Sequence, residues 1–279
     1  MEKIGLIAGN RRFPIIFSQA AKKMDYYVVA VAVKGDTSRI LKKYVDKLYW
    51  VNLNELPRLF EIFKAEGINR VVMAGQISPY RLFSKEISRN AQVKSLLASI
   101  KDKRADTIFG AIAEKLKEAG LELISSTTFI DDLLPQEGTL TKRGPSVTEW
   151  EDVRFGLALA KEIAALDIGQ TVAIKDKAII AVEALEGTDN LIRRAGRISQ
   201  GKITIVKVSK PKQDIRFDVP VIGLNTVKNL IRSGASCLAI EANKTLFIDQ
   251  DLSLKLANKK GITIVAVGNK DYQWFNPSI

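Results

Sequence analysis

Three stretches of the 279-residue chain combine residue types and spacings that could do chemistry. The densest is Lys207-Val-Ser-Lys210-Pro-Lys212-Gln-Asp214-Ile-Arg216-Phe-Asp218-Val-Pro220-Val-Ile-Gly223-Leu-Asn-Thr226. Read as extended backbone, it puts Asp214, Arg216 and Asp218 on one face by the two-residue period of a strand. Two carboxylates beside a cation would suit Mg²⁺ and a diphosphate. The second stretch is Glu183-Ala-Leu-Glu186-Gly187-Thr188-Asp189, three acids around one sharp turn. Thr188 or Asp189 is expected to cap the helix that follows. Arg193 and Arg194, one turn in, could neutralise a phosphate or pair with the acids. The third is Gly9-Asn10-Arg11-Arg12-Phe13-Pro14, a strand-to-helix loop whose N–H groups and guanidiniums would suit a phosphate. It lacks the G-x-G-x-x-G spacing of a dinucleotide fingerprint. The loop Ala74-Gly75-Gln76-Ile77-Ser78-Pro79 ends another apolar run. If the two strands are neighbours, both loops face one crevice.

Composition narrows the chemistry. The chain has no histidine and one cysteine, Cys237. Imidazole bases, Ser-His-Asp and Cys-His triads, and His-held zinc or haem are therefore excluded, and so is an intrachain disulfide. A metal would sit on oxygen ligands, which points to Mg²⁺, Mn²⁺ or Ca²⁺. One cysteine fits a reducing compartment, and its apolar surroundings, Ser236-Cys-Leu-Ala-Ile, place it in a core. The net charge of +12 is uneven. Residues 1–130 hold 22 basic and 13 acidic residues, and residues 131–279 hold 21 and 18. Such a protein meets nucleic acid, anionic head groups or phosphorylated small molecules. No aromatic-rich basic patch argues for nucleic acid. The N-terminal apolar run is too short for a signal peptide, and no uncharged stretch approaches the roughly 20 residues of a spanning helix.

These stretches need a frame. Strands are expected at Lys3–Gly9, Tyr26–Val33, Leu48–Val51, Arg70–Gly75 and Leu121–Ile124. Helices are expected at Pro14–Met24, Glu55–Glu66, Leu82–Ile100 and Ala105–Ala119. Repeated strand–loop–helix units mean a parallel sheet, whose ligands sit at the carboxyl ends of strands. Asp131–Ser146, rich in Pro and Gly, reads as a linker between domains 1–130 and 147–279. The second domain reads as a helix Glu149–Leu166 and a hairpin of Gln170–Ile174 and Ala178–Ala184 turning at Lys175-Asp176-Lys177. A short helix Asp189–Arg197, strands Lys202–Val208 and Cys237–Glu241 and a helix Thr226–Ser233 follow. Asp251–Lys260 and Ile262–Val267 end the fold, before a tail from 268. The segment Arg81–Arg104, with seven basic and two acidic residues among apolar ones, could lie over an anionic bilayer or over the core.

The chain resembles the LpxI-type UDP-2,3-diacylglucosamine pyrophosphatases over about residues 3–267. The resemblance is carried by Gly5-Leu-Ile-Ala-Gly-Asn, Phe13-Pro14, Ala74-Gly-Gln-Ile-Ser-Pro, Asp106-Thr-Ile, Asp167-Ile-Gly-Gln170, Val182-Glu-Ala-Leu-Glu-Gly-Thr-Asp189 and Lys210-Pro-Lys-Gln-Asp-Ile-Arg-Phe-Asp-Val-Pro220. It departs at Arg11, where the family usually has glycine. The resemblance implies two α/β domains, an N-terminal Rossmann-like parallel sheet and a C-terminal domain with a mixed sheet, with the ligand in a cleft between them. It implies Mg²⁺-dependent hydrolysis (Mn²⁺ as substitute) of UDP-2,3-diacylglucosamine to UMP and 2,3-diacylglucosamine 1-phosphate, lipid X, in lipid A biosynthesis. On that reading Asp218 and Asp214 are the catalytic or metal carboxylates, and Glu186 and Asp189 are further metal ligands. Lys210, Lys212 and Arg216 hold the diphosphate. Thr188, Arg193 and Arg194 bind phosphate or sugar, and Gly9, Asn10 and Gln76 shape the uridine or glucosamine pocket. The partners implied are the lipid-linked UDP-sugar and the anionic inner-membrane surface, with no nucleic acid and a homodimer left open. The place implied is the cytoplasm, peripheral to the inner membrane. A non-catalytic nucleotide-sugar or lipid-binding module is the alternative from the residues alone.

Overall fold

The computed structural model of the chain describes residues 1–77, 81, 102 and 105–268. The expected helix Leu82–Ile100, almost all of the basic Arg81–Arg104 segment and the tail beyond Gly268 lie outside the described residues. The contacts divide the chain into two compact units, Met1–Asp131 with Asp214–Asp218, and Asp132–Gln213 with Val219–Ile279.

The first unit carries one sheet of β1 (Lys3–Ala8), β2 (Tyr27–Val33), β3 (Lys47–Val51), β4 (Arg70–Ala74) and β5 (Glu122–Leu123), in the order β3-β2-β1-β4-β5. All its pairings are parallel. The apolar runs explain this. In β2 every residue after Tyr27 is buried, so the strand is covered on both faces, as a parallel sheet requires. Helices α1 (Phe13–Lys23), α2 (Arg58–Ala65) and α3 (Ala105–Glu118) supply the cover. The helix expected at Glu55–Glu66 is split. Asn52 and Glu55 close a capping box on a 3₁₀ turn at Leu53–Glu55, and α2 starts after Pro57, which has no N–H to continue a ladder. Strand order reverses between β1 and β4, the place where doubly wound sheets open a crevice.

The second unit has a mixed sheet of β6 (Gly138–Thr139), β7 (Thr171–Lys175), β8 (Ala178–Val182), β9 (Thr204–Lys207), β11 (Cys237–Glu241) and β13 (Thr263–Val267), ordered β6-β13-β11-β9-β7-β8. The strands β9, β11 and β13 are parallel; β6, β7 and β8 pair antiparallel. A second, two-stranded sheet joins β10 (Val221–Ile222) to β12 (Leu246–Phe247). The hairpin turn uses left-handed Asp176 and Lys177 (φ 51° and 59°), the twist that fits a tight hairpin. Helix α4 (Val147–Ala165) starts in a capping box in which Ser146 and Glu149 exchange hydrogen bonds, and Arg143 forks onto the same Glu149 carboxylate at 2.7 and 2.8 Å. Helices α5 (Thr188–Ser199), α6 (Leu224–Arg232) and α7 (Gln250–Lys259) complete the unit. Residues 131–146 are not featureless: they hold a 3₁₀ turn and β6, which hydrogen-bonds to β13. Cys237 lies in the core, where burial pushes its thiol pKa up.

Candidate functional site

In the first unit the two loops at the strand-order reversal are brought together by backbone. The Gly9 N–H donates to the Ala74 carbonyl and the Asn10 N–H to the Gln76 carbonyl, each at 2.8 Å, so the two loops are neighbours as their strands are. A Cβ on Gly9 would stand 2.5 Å from the Gly75 carbonyl carbon, and one on Gly75 2.5 Å from the Asn10 carbonyl oxygen. Only glycine permits that approach. Arg11, in the family's glycine position, adopts φ 65° all the same. The buried side-chain oxygen of Asn10 has no hydrogen-bond partner among the described residues. Such an acceptor calls for a donor from a ligand. Helix α1 opens at Arg12 with no side-chain cap.

The same unit holds five residues from far along the chain. Asp214–Asp218 forms a turn, not the extended run expected: the N–H groups of Phe217 and Asp218 both donate to the Asp214 carbonyl, at 3.2 and 2.9 Å. Two anchors explain the fold-back. Phe217 packs into the apolar core of this unit with its ring 5.8 Å from that of Phe109, and Ser126 holds both neighbouring carbonyls. The Ser126 N–H donates to Ile215 O at 3.0 Å, and its hydroxyl shares its one proton between Arg216 O at 2.7 Å and Met73 O at 2.8 Å. The bond from Asp218 N–H to the Asp214 carbonyl brings the two aspartates into one turn rather than onto one face of a strand. The Arg216 side chain bends back onto both Asp214 oxygens, with Nη2 to Oδ2 at 2.6 Å and Nε to Oδ1 at 2.9 Å. That hydrogen-bonded pair holds the Asp214 carboxyl below the usual carboxylate range and raises the guanidinium.

In the second unit the carboxyl ends of the strands carry charge. Glu241 ends β11, is 2% exposed, and accepts from Lys161 Nζ (2.7 Å), Ser209 N (2.5 Å), Ser209 Oγ (2.7 Å) and Lys244 Nζ (3.0 Å). Burial would raise its pKa, but these donors hold it down to about 2. Lys210, just past β9, pairs with Asp167 at 2.6 Å, and Lys212 is exposed in the next turn. Around Gly187 the acids are engaged differently from the expectation. Gly187 itself is the N-cap of α5, with φ 78° and no side-chain cap. Thr188 gives its hydroxyl to Glu183 at 3.0 Å instead of capping the helix. Glu186 pairs with Arg194 at 2.6 Å; burial would raise its pKa, but Arg194 and the Ala184 N–H hold it low. Asp189 accepts from Asn225 at 2.8 Å, and Arg193 lies over the Asp189 carbonyl and Asn190.

The sequence-derived candidates thus divide. Gly9, Asn10, Gln76, Asp214, Arg216 and Asp218 belong to the first unit; Glu186, Thr188, Asp189, Arg193, Arg194, Lys210 and Lys212 to the second. Ser126, Lys161, Glu241 and Lys207 were missed as site residues. A charged residue closing an otherwise uncharged strand, as Lys207 and Glu241 do, was the available signal; Ser126 left none. Among the described residues no three acids or cysteines gather to hold a metal. Magnesium commonly takes one or two carboxylates and completes its shell with phosphate and water. The Asp214–Asp218 pair fits an ion bound jointly with a diphosphate, not one caged by protein.

A parallel sheet in the first unit and a mixed sheet in the second, each with its own helices, define a two-unit α/β protein. Its sequence matches the profile described as the LpxI N-terminal domain over residues 3–133 and that of the LpxI C-terminal domain over residues 136–265. The chain belongs to the LpxI family. It is 26% identical over 276 residues to the UDP-2,3-diacylglucosamine pyrophosphatase LpxI of Caulobacter vibrioides, covering 96% of this chain and 98% of that protein. A solved structure of the glycinamide-RNase-transformylase T of Mycobacterium tuberculosis aligns with 66% of this chain and 44% of its own at 15% identity, with a TM-score of 0.22, too low to carry an argument. Among the described residues no helix is long and apolar enough to cross a membrane.

Proposed function

We propose that this chain hydrolyses the diphosphate of UDP-2,3-diacylglucosamine, releasing UMP and 2,3-diacylglucosamine 1-phosphate. The observation that carries the reading is the end-to-end similarity to a pyrophosphatase of that name, which spans both units. The strand ends support it. A phosphoanhydride resists attack because its oxygens are anionic, so catalysis needs cations on the phosphates and a carboxylate to orient water. Asp214 accepts from Arg216 through both oxygens, which fixes that guanidinium for the diphosphate, and the roughly four lone-pair sites of a carboxylate still leave room for a metal. Asp218 is the carboxylate assigned to the attacking water. Asp218 and Asp214 would hold Mg²⁺, which when bound withdraws charge from the phosphates. Lys210 and Lys212 bind the diphosphate, and Asn10 and Gln76 read the nucleoside or sugar. Because the substrate carries two acyl chains, the enzyme works at the anionic inner-membrane surface; flotation with anionic but not neutral vesicles at low salt checks this, and equal flotation with both counts against it. The deciding experiment is incubation of the full chain with UDP-2,3-diacylglucosamine and Mg²⁺, with products identified by mass. Binding without turnover would leave the non-catalytic module instead.

A further inference from the structure

Past β9 the Val208 N–H still donates to the Gln170 carbonyl. Ser209, next along and buried, is held by charged side chains instead. Glu241 Oε2 accepts from Ser209 N at 2.5 Å and from the Ser209 hydroxyl at 2.7 Å. Lys161 Nζ donates to the Ser209 carbonyl at 2.8 Å, and to Glu241 Oε2 at 2.7 Å. Both polar groups of one residue's backbone are thus gripped by a single ion pair, at the carboxyl end of the strands.

The chain beyond Ser209 is constrained as well. Pro211 fixes its own φ and biases Lys210 toward extended backbone. The Lys210 N–H donates to Gln213 Oε1 at 2.6 Å. Its ammonium pairs at 2.6 Å with Asp167, just past the end of α4, the helix that carries Lys161. Few torsions are left between the gripped Ser209 and the Lys210 side chain. Glu241 does not itself face a ligand: it is buried, and its other oxygen takes Lys244 at 3.0 Å. Apolar residues of similar volume often replace a buried ion pair without loss of stability. They would leave the Ser209 backbone unheld, which is what the charges add here.

We propose that Lys161 and Glu241 are positioning residues for Lys210: by gripping Ser209 they set where the Lys210 ammonium meets the diphosphate. Neither touches the substrate, and both act through the one residue that follows Ser209. The assignment deepens the proposed function and rests on it for the identity of the ligand that Lys210 meets.

The test is a double-mutant cycle on the full chain. UDP is the binding probe, read by titration calorimetry; single-turnover rates use UDP-2,3-diacylglucosamine with Mg²⁺, and circular dichroism follows folding. Lys161→Met leaves Glu241 with Lys244 as its counter-charge, so it should fold. It should weaken UDP about 10-fold while the rate at saturating substrate stays within about 3-fold of the parent. On a Lys210→Ala background the same change should alter UDP affinity less than about 2-fold, because the residue it acts through is gone. Glu241→Gln, taken through the same cycle, covers the case in which Lys161→Met does not fold. Equal losses on both backgrounds, which a merely structural role would give, overturn the positioning. So do unchanged UDP affinity in the folded single variants and a parent that binds no UDP. If the cycle couples yet the parent leaves the UDP-lipid intact, the proposed function fails and the positioning stands; hydrolysis with an additive cycle does the reverse.

Discussion

The two units solve the same problem, placing polar groups at the carboxyl ends of parallel strands, with different means. In the first, backbone does the placing: Gly9 and Gly75 let two loops touch, and the polar groups that result are carbonyls, amides and an Asn10 oxygen with no partner among the described residues. In the second, buried charge does it: Glu241 under Lys161 and Lys244, Lys210 on Asp167, Lys207 on Thr188. The aspartates assigned to chemistry sit on the first unit and the lysines assigned to binding on the second. A backbone-built edge tolerates few side-chain changes at its contact points, whereas a charge-built edge depends on pH and on each charge keeping its partner.

The largest effect expected is that of metal removal. EDTA should reduce turnover to background and Mg²⁺ or Mn²⁺ should restore it, while phosphate binding at the lysine edge survives the chelator. Full turnover after exhaustive chelation would remove the cation from the aspartate side. Next comes Asp218→Asn. In single-turnover assays kcat should fall about 10²–10⁴-fold with substrate binding nearly intact, because the carboxylate acts mainly in the transition state. Lys210→Ala should do the reverse and raise Kd; exchanged outcomes would break the division between the units.

Glu241→Gln follows. A carboxyl whose folded pKa of about 2 lies below the unfolded value of 4.5 adds stability above about pH 4.5 and loses it as the pH falls toward 2. The increment is on the order of 3 kcal/mol. Urea titrations should show the variant weaker at pH 7 and the gap closing on acidification; a constant gap would deny the charge its role. The smallest effect is on the first unit. Gly75→Ala should cost about 2–3 kcal/mol, from the clash with the Asn10 carbonyl and the left-handed φ of 81°, with no such pH dependence.

What could be read beforehand follows the same divide. The parallel sheet of the first unit was legible, because apolar runs ending in glycine have few other readings, and the Gly9 and Gly75 loops were placed side by side on the condition that their strands are neighbours, which they are. The hairpin and the burial of Cys237 were legible for similar reasons. The turn at Asp214–Asp218 was not. Alternating charge between two prolines looks extended locally, and what bends it is Phe217 finding Phe109 and Ser126 finding two carbonyls, partners 108 and about 90 residues away in sequence. Strand β6 was hidden because two residues cannot show a period. Lys207 stood in plain view inside the densest charged stretch, but only the fold shows it buried.

The segment Asp214–Asp218 belongs by contact to one unit and by chain to the other. The units are therefore not separable cassettes. A gene fragment ending at Asp131 would encode a first unit missing the ring that fills the space beside Phe109 and the peptide that satisfies Ser126. Its complement would carry those five residues with nothing to receive them. Recombination between relatives at that seam would pair each turn with a foreign socket, so Phe217 and Ser126 must change together with Phe109, and the two halves of the gene are bound to a common inheritance.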